Sequence, residues 1–357
     1  MLYLNSIFFI MEKHKMKKQM IAAAVAASVS AVAVADISIT GNANYEYFQT
    51  ETTTGASTHT TDTEINLSFK GKTGDTSVVA NLELDSHGGA GTALDIEDTY
   101  LTTKIGDINV KAGNFASGTS GLGGEIDAGG RVTGKMDLST EISGVKVGYA
   151  VGTSSASAGD DGASATLDDN AQTFSVSTDI AGWNVAAKQD PNAYTEYGVK
   201  GDIAGISVRA ETKNSKTANS DVTFLDLRTK VGDFELGYAM IDADTSGLVG
   251  EEDSSVFARE MATGAGGTAN ARDDVDGVNQ FMASTTIDGT AVTVKVGELR
   301  ATAGNQDAGF QQISASRTLA SGTKLSVFYT DAETESVADG TAMTDSQTLE
   351  IDLSVSF

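Results

Sequence analysis

The chain has 357 residues, no cysteine, a single proline and 39 glycines, and its 49 acidic residues outnumber its 24 basic ones, for a formal net charge of −25. The lack of cysteine excludes a disulfide framework, thiol chemistry and paired-cysteine zinc sites. The strong acidity argues against nucleic acid as a partner. No phosphate-cradling glycine loop precedes a helical pattern, so the sequence predicts no cofactor.

The N-terminal 35 residues have the features of a secretory signal peptide. An apolar run at residues 21–34, rich in alanine and valine, ends in the small-residue cleavage signal Ala33-Val34-Ala35. A basic segment precedes that run and contains Lys13, Lys15, Lys17 and Lys18. We therefore predict a signal peptide at 1–35 and a mature domain at 36–357. Residues 1–15 belong to a misassigned start if Met16 is the initiator.

After the signal one unit recurs: an alternating strand, a tight glycine turn, a second alternating strand and a longer polar connection. Glycine next to Asp, Ser or Ala supplies the positive φ that a short hairpin requires. Eight such turns are predicted, at Gly74-Asp75, Gly106-Asp107, Ser143-Gly144, Ala181-Gly182, Ala204-Gly205, Gly232-Asp233, Asp288-Gly289 and Ser321-Gly322. The longer connections fall at about 49–62, 86–94, 116–131, 153–171, 190–193, 213–221, 242–277, 301–308 and 331–345. Eight hairpins with a first and a last strand predict 18 strands, or 16 if one hairpin lies outside the sheet.

The last strand, Gln347 to Phe357, indicates that two different solvents meet the sheet. Its two phases alternate without interruption, with Leu349, Ile351, Leu353, Val355 and Phe357 against Glu350, Asp352, Ser354 and Ser356. Period-two alternation places one set on each face of a strand. An apolar outer face and a charged inner face fit a closed barrel in lipid. The chain is therefore predicted to be an all-β, antiparallel, up-and-down transmembrane β-barrel with short periplasmic turns and long extracellular loops. Candidate aromatic girdles are Trp183, Phe234 and Phe357 near the turns and Tyr45, Tyr47, Tyr238 and Tyr329 near the loops.

The polar phase of the strands carries many of the basic residues, and we predict that they line the lumen. They are Lys70, Lys111, Lys135, Lys146, Lys188, Arg209, Arg228, Lys230, Lys295 and Lys324. Acidic residues share this phase, among them Glu64, Glu83, Asp85, Asp137, Glu141, Glu211, Asp226, Glu235, Glu350 and Asp352. Either the two sets pair across neighbouring strands and keep the lumen wet, or some cations face acidic groups across a constriction.

Together these features resemble the Gram-negative general porins. The resemblance rests on the strand directly after the cleavage signal, on Leu67-Ser68-Phe69-Lys70-Gly71, on the hairpin from Glu97 to Asn114 and on the terminal Phe357. It implies a homotrimer of barrels in the outer membrane. Contact with the membrane lipid is then expected, and the acidic loops suggest contact with lipopolysaccharide through divalent cations. Each barrel would then be a passive diffusion channel for ions and small hydrophilic solutes.

The resemblance also implies that the third long loop, 116–131, folds inward and narrows the pore. The acidic side of the implied constriction is Glu125 and Asp127 within that loop. For its basic side we expect Arg131 at the end of the loop, with Lys111 and Lys135 in the adjoining strands.

Two other functions stay open at this point. One is a structural or adhesive surface protein, such as a β-solenoid; the other is a substrate-specific channel for phosphate or a sugar, although no inward run of aromatic residues is visible. An enzyme is not predicted, because only His59 and His87 follow the signal and both are expected in long loops, away from any wall serine. Acidic loops at the channel mouth predict a mild cation preference at low salt.

Overall fold

The computed structural model describes residues 36–52, 55, 57–87, 91–116, 131–154, 168–216, 221–244, 256–257, 275–301, 308–334 and 346–357, so the predicted signal peptide lies outside it. Eighteen strands make up most of these residues. The first nine are β1 (Asp36–Thr52), β2 (Ser57–Thr73), β3 (Thr76–His87), β4 (Gly91–Ile105), β5 (Ile108–Ala116), β6 (Arg131–Ile142), β7 (Val145–Ser154), β8 (Asp168–Ile180) and β9 (Trp183–Asp190). The other nine are β10 (Tyr194–Ile203), β11 (Ile206–Ser215), β12 (Val222–Val231), β13 (Phe234–Ala243), β14 (Val275–Ile287), β15 (Thr290–Ala301), β16 (Ala308–Thr318), β17 (Lys324–Thr334) and β18 (Ser346–Ser356).

The strands form one closed sheet. Each strand pairs in an antiparallel ladder with its neighbours in the sequence, and β1 pairs with β18 as well as with β2. The result is an up-and-down barrel of 18 strands, which confirms the predicted fold class and the count of 18 rather than 16. A closed antiparallel barrel also excludes a β-solenoid fold for the described residues. Within the same residues, no helix is long and apolar enough to cross a membrane.

The tight turns lie where the sequence predicted them, all at one rim. In four turns both central residues have positive φ, as in type I′ hairpins, because a residue at φ 48–53° precedes a glycine. These first residues are Ser143, Ala181, Ala204 and Asp288. In the Gly-Asp turns only the glycine is in the left-handed region, with φ 56° at Gly74. Turns of these types match the twist of the flanking strands, which explains why short hairpins recur along this rim.

Strands at the loop rim are longer than the sequence indicated. The connection predicted at 49–62 is mostly strand, because β1 continues to Thr52 and β2 begins at Ser57. The apolar alternation ends below this rim, but the β-branched threonines that follow favour an extended backbone. His59, expected in a loop, therefore lies within β2 opposite Gln49, and His87 is the last residue of β3. The wall is also uneven in height, since β1 and β2 have 17 residues each and β9 has 8.

The outer face of the barrel is an apolar band. Ile105 is 66% exposed and Phe357 is 62% exposed, as expected for side chains that hydrocarbon covers in a membrane. The register places all the candidate girdle residues on this outer face: Trp183, Phe234 and Phe357 toward the turns, and Tyr45, Tyr47, Tyr238 and Tyr329 toward the loops. The alternation of the sequence thus corresponds to an outward and an inward set of side chains.

The seam between β1 and β18 ends in a contact between Gly41 and Phe357. The backbone amide of each residue donates to the carbonyl oxygen of the other, both at 2.9 Å. The Phe357 ring lies over Gly41, where an added Cβ would be 2.9 Å from the ring and 2.5 Å from the carbonyl oxygen of Asn66. A glycine at this position therefore lets the terminal aromatic ring close against the first strand.

Replacing Gly41 with valine is expected to weaken this closure, because overpacking of a tight contact costs roughly 1–3 kcal/mol. Gly71→Val is the matched control, since Gly71 faces outward on the neighbouring β2 and a Cβ there meets no atom within 4 Å. The measurement is the temperature at which the compact, SDS-resistant band converts to the unfolded band. Gly41→Val should convert at a lower temperature than Gly71→Val; equal temperatures would show that the ring contact does not stabilise the seam.

Candidate functional site

The inner face of the barrel is polar, and its side chains are more enclosed than those of the outer face. In β18, inward Glu350 is 1% exposed whereas outward Leu353 is 38% exposed. The register places on this inner face every basic residue predicted for the lumen wall, namely Lys70, Lys146, Lys188, Arg209, Arg228, Lys230, Lys295 and Lys324. Their contact with permeating solutes stays a prediction.

One side of the lumen, formed by β18, β1, β2 and β3, is acidic. Asp352 stands opposite Glu46, which stands opposite Asp62 on the next strand. The basic residues of these four strands are Lys70 and Lys72, both next to the turn rim. A cavity of about 1020 Å³ on this side is lined in part by Glu64, Glu83, Glu97, Asn42, Asn66 and Asn81. Among the described residues no cluster of His, Asp or Glu has the arrangement of a metal site.

The opposite side of the lumen, formed by β9 to β12, carries both signs of charge in alternation. β10 is nine positions from β1 in the ring of 18 strands, so this side faces the acidic one. Lys188 stands opposite Glu196, which stands opposite Lys213, and Glu196 is fully buried. Arg209 stands opposite Asp226 and packs 4.7 Å from the centre of the Phe224 ring. We call β9 to β12 the charge-paired side, because residues of opposite charge stand opposite each other on its neighbouring strands.

Arg228 extends the charge-paired side onto the next strand. Its Nε is 3.1 Å from Asp226 Oδ1, and its second guanidinium nitrogen is 3.5 Å from Oε1 of Glu235 on β13. Both carboxylates bind the one guanidinium in a geometry that suits its planar fork. On this side Lys188, Lys213 and Arg209 thus stand opposite carboxylates, whereas Lys200 stands opposite Asn184 and Arg209. On the acidic side, Glu46 stands between two carboxylates, Asp352 and Asp62.

The predicted constriction is described in part. Glu125 and Asp127 lie outside the described residues, and the backbone of Arg131 pairs with Ala116 at the loop end of β6. Lys111 and Lys135 are brought together on the inner face of β5 and β6, around the buried ring of Phe115. The Lys111 ammonium lies 4.0 Å from the ring centres of both Tyr100 and Phe115. Lys135 lies 5.1 Å from the Phe115 ring and 3.4 Å from Asp137 Oδ1.

A second inward element comes from the connection between β13 and β14. Val256 and Phe257, here called the hook, are 2% and 3% exposed. They are buried against an apolar patch on the inner face at the loop end of the wall, formed by Val222, Phe224, Ala239, Ile241, Ala243, Val278, Phe310 and Ala332. The ring of Phe257 meets that of Phe224 edge to face, with centres 6.1 Å apart.

Both hydrophobic burial and hydrogen bonds hold the hook in the lumen. Burying a side chain of the size of valine or phenylalanine contributes roughly 1.5–3 kcal/mol. The carbonyl oxygen of Val256 accepts a hydrogen bond from Gln280 Nε2 at 2.8 Å, and that of Phe257 accepts one from Lys295 Nζ at 2.6 Å. The hook therefore occupies the loop end of the lumen on the side between β12 and β17.

Comparison with known proteins supports the architecture. No family model and no curated protein matches the sequence. Solved structures do match: OccK2 (OpdF) of Pseudomonas aeruginosa in complex with glucuronate has a TM-score of 0.62 over 90% of this chain and 98% of that chain, at 11% identity. OpdQ of the same organism has a TM-score of 0.63 over 91% and 99%, at 12% identity. OccK9 (OpdG) has a TM-score of 0.60 over 90% and 99%, at 13% identity.

These neighbours are 18-stranded outer-membrane porins. The chain has a porin fold. At 11–13% identity, the similarity concerns the architecture of the barrel. The number of strands in this barrel, 18, agrees with that of these neighbours.

The apolar patch was missed because sequence reasoning assigned the whole inner phase to water. A signal was present, since the alternation breaks at Val222-Thr223-Phe224-Leu225, where apolar residues occupy both phases.

Inward aromatics were missed as well. Among the described residues, the inner face of the porin barrel carries aromatic side chains on seven different strands, namely Phe48, Tyr100, Phe115, Tyr194, Phe224, Phe310 and Phe328.

Lys111→Gln is expected to lower the free energy of unfolding by roughly 1–2 kcal/mol, because a cation over an aromatic ring contributes about 0.5–2 kcal/mol. Lys104→Gln is the control: Lys104 is an exposed inward lysine beside the β4–β5 turn. Urea unfolding in lipid vesicles can be followed by the fluorescence of Trp183, the single tryptophan of the chain. Equal midpoints for the two variants would contradict a stabilising role for the Lys111 contacts.

Proposed function

We propose that this chain is an outer-membrane channel for the passive diffusion of ions and small hydrophilic solutes. The observation that carries the proposal is the closed 18-stranded barrel whose outer face is apolar and whose inner face is charged. Hydrocarbon stabilises the first face and water the second. The predicted N-terminal signal and the porin fold of the neighbours support the outer membrane of a Gram-negative bacterium as its location.

The charge distribution favours cations over anions within this function. The acidic side has its two lysines at the turn rim, and the charge-paired side is close to neutral. Acidic groups that line an aqueous path raise the local concentration of cations within a Debye length, which is about 8 Å at physiological salt. A mild cation preference follows, which is strongest at low ionic strength.

Reversal potentials in a planar bilayer under a gradient of dilute salt are expected to show this preference. Replacing Glu64 and Glu83 together by glutamine should move the potential toward zero, because both carboxylates line the cavity on the acidic side. Glu333→Gln is the control, since Glu333 is exposed on the outer face of β17. Anion preference of the unchanged protein would contradict the prediction and favour phosphate or carboxylate uptake, and absence of channels would contradict the proposed function.

A substrate-specific channel is the second candidate. Two observations favour it: OccK2, a structural neighbour, was solved with glucuronate, and inward ammonium groups lie over aromatic rings, as Lys213 does 4.6 Å from the Tyr194 ring. Among the described residues, however, β6 to β9 and β13 to β15 have no inward aromatic side chain, so the described wall does not form the continuous aromatic track of a sugar channel. Uptake by proteoliposomes separates the two functions, because a specific channel saturates and shows competition, whereas diffusion remains proportional to concentration.

We also propose that the chain forms the homotrimer implied by its resemblance to general porins, in contact with lipopolysaccharide. A groove of about 600 Å³ crosses β8 to β13, where the strands are shorter than β1 and β2. The outward residues that line it include Val185, Ala187, Val199 and Ala210. Small apolar side chains are typical of protein contacts within membranes, because they allow close approach.

Filling this groove is expected to reduce assembly. The variant Ala187→Leu with Ala210→Leu should shift the mass seen by native mass spectrometry in detergent from three chains toward one. Ala80→Leu, which adds the same side chain to the outer face of β3, is the control. A mass of one chain for the unchanged protein would contradict the trimer and leave the channel function in place.

A further inference from the structure

Two inward side chains hold the hook by its backbone. Gln280 Nε2 donates to the carbonyl oxygen of Val256 and Lys295 Nζ to that of Phe257, at 2.8 and 2.6 Å. The donors come from neighbouring strands, β14 and β15, and Gln280 is 1% exposed. Two consecutive carbonyl groups are thus bound by two adjacent donors, which fixes both the position and the direction of the segment.

Lys295, like the inward Lys70 and Lys324, has no charged residue directly opposite it on either neighbouring strand. Its directly opposed residues are Met282 and Gln312, both uncharged. Lys188, in contrast, stands opposite Glu196 on the charge-paired side. The register thus offers Lys295 no carboxylate directly across the strand, while a carbonyl of the hook lies at hydrogen-bond distance from its ammonium.

The wall next to Lys295 is shaped to receive the hook. Gly297, the next inward residue of β15, lies under the ring of Phe310, and a Cβ there would be 2.7 Å from that ring. Without a side chain at Gly297, Phe310 lies close to the wall, and Phe310 is one of the residues buried together with Val256 and Phe257. Gly297, which leaves room for the Phe310 ring, and Lys295, which donates the hydrogen bond, are therefore consecutive inward residues of β15.

We propose that Lys295 is a positioning residue, which latches the hook in the lumen and thereby sets the open cross-section of the channel, while contributing little to its ion selectivity. This inference rests on the proposed channel function. A hydrogen bond to a charged donor changes an equilibrium by roughly tenfold to a hundredfold. Removal of the Lys295 ammonium therefore shifts the ratio of latched to unlatched channels by about that factor, with the apolar contacts left to oppose release.

The test compares Lys295→Met with Lys324→Met in single-channel recordings. Both variants remove one inward lysine, but Lys324 lies at the turn end of β17, far along the strand from Ala332 of the apolar patch. Lys295→Met should show higher-conductance levels and admit larger polyethylene glycols, with little change in reversal potential. Lys324→Met should keep the conductance levels and polymer limit of the unchanged protein and shift the reversal potential toward cation preference. Lys295→Arg, which keeps a charged donor, should restore the original conductance.

The outcomes separate this inference from the proposed function. If Lys295→Met and Lys324→Met give the same conductance levels and the same shift in reversal potential, Lys295 is an ordinary wall charge and the latch does not exist. If the unchanged protein itself gives no channels, the proposed function fails before the variants are compared. Gln280→Leu supplies a second variant without a change in charge, and it should also raise the conductance.

Thiol labelling reports on the hook without any measurement of current. The chain has no cysteine, so Val256→Cys introduces the single reactive thiol, at a position that is 2% exposed. A membrane-impermeant maleimide should label it slowly, and addition of Lys295→Met should raise the rate by about tenfold or more, following the shift in the latch equilibrium. Addition of Lys324→Met should leave the rate unchanged. Equal rates in all three proteins, each confirmed as a folded barrel by its SDS-resistant band, would overturn the proposal.

Discussion

Closure of the backbone ladder is the constraint on which the rest of this structure depends. In hydrocarbon an unpaired backbone amide or carbonyl has no water to bind, so a spanning sheet must return to its first strand. Here the return is made by β18 against β1, and it ends with the mutual hydrogen bonds of Gly41 and Phe357. Once the sheet is closed, each strand has one face toward lipid and one toward the lumen. The other features of the structure then depend on which side chains lie on the inward face.

The local chemistry of the sequence is enough to predict most of this architecture. Each tight turn is specified by two residues, such as Ser143-Gly144, whose positive φ values favour a hairpin with the correct twist. Alternation then assigns the faces, and the number of turns gives the number of strands. Strand ends are less well specified, because above the lipid both faces of β1 and β2 are wet. The polar, threonine-rich residues from Ser57 onward continue the ladder without the apolar pattern by which strands are recognised.

The sequence was enough to predict which side chains face the lumen, but much less so which other residues they contact. The phase of a strand is enough to place Lys188 or Arg209 on the inner face. Their neighbours depend on register, however, which a sequence specifies only through the sum of its turns and bulges. The position of the hook was even harder to predict from the sequence. Val256 belongs to a long polar connection without periodicity in the sequence, yet it is buried in one cluster with Val278 and Phe310, from parts of the chain that no local pattern relates to it. Lys295 looks like any other inward lysine until the carbonyl of Phe257 is seen beside it.

The apolar patch and the hook explain one another. A wall that faces water gains nothing from Val222, Phe224 and Ile241 on its inner phase, because apolar surface left in contact with water is unfavourable in proportion to its area. The hook, for its part, would be an unfavourable apolar segment in a polar loop if no such surface received it. Each covers apolar surface of the other, and together they fill the loop end of the lumen on the side between β12 and β17. The apolar residues on the inward face of β12, which interrupt the alternation, therefore indicate where a segment from elsewhere in the chain enters the lumen.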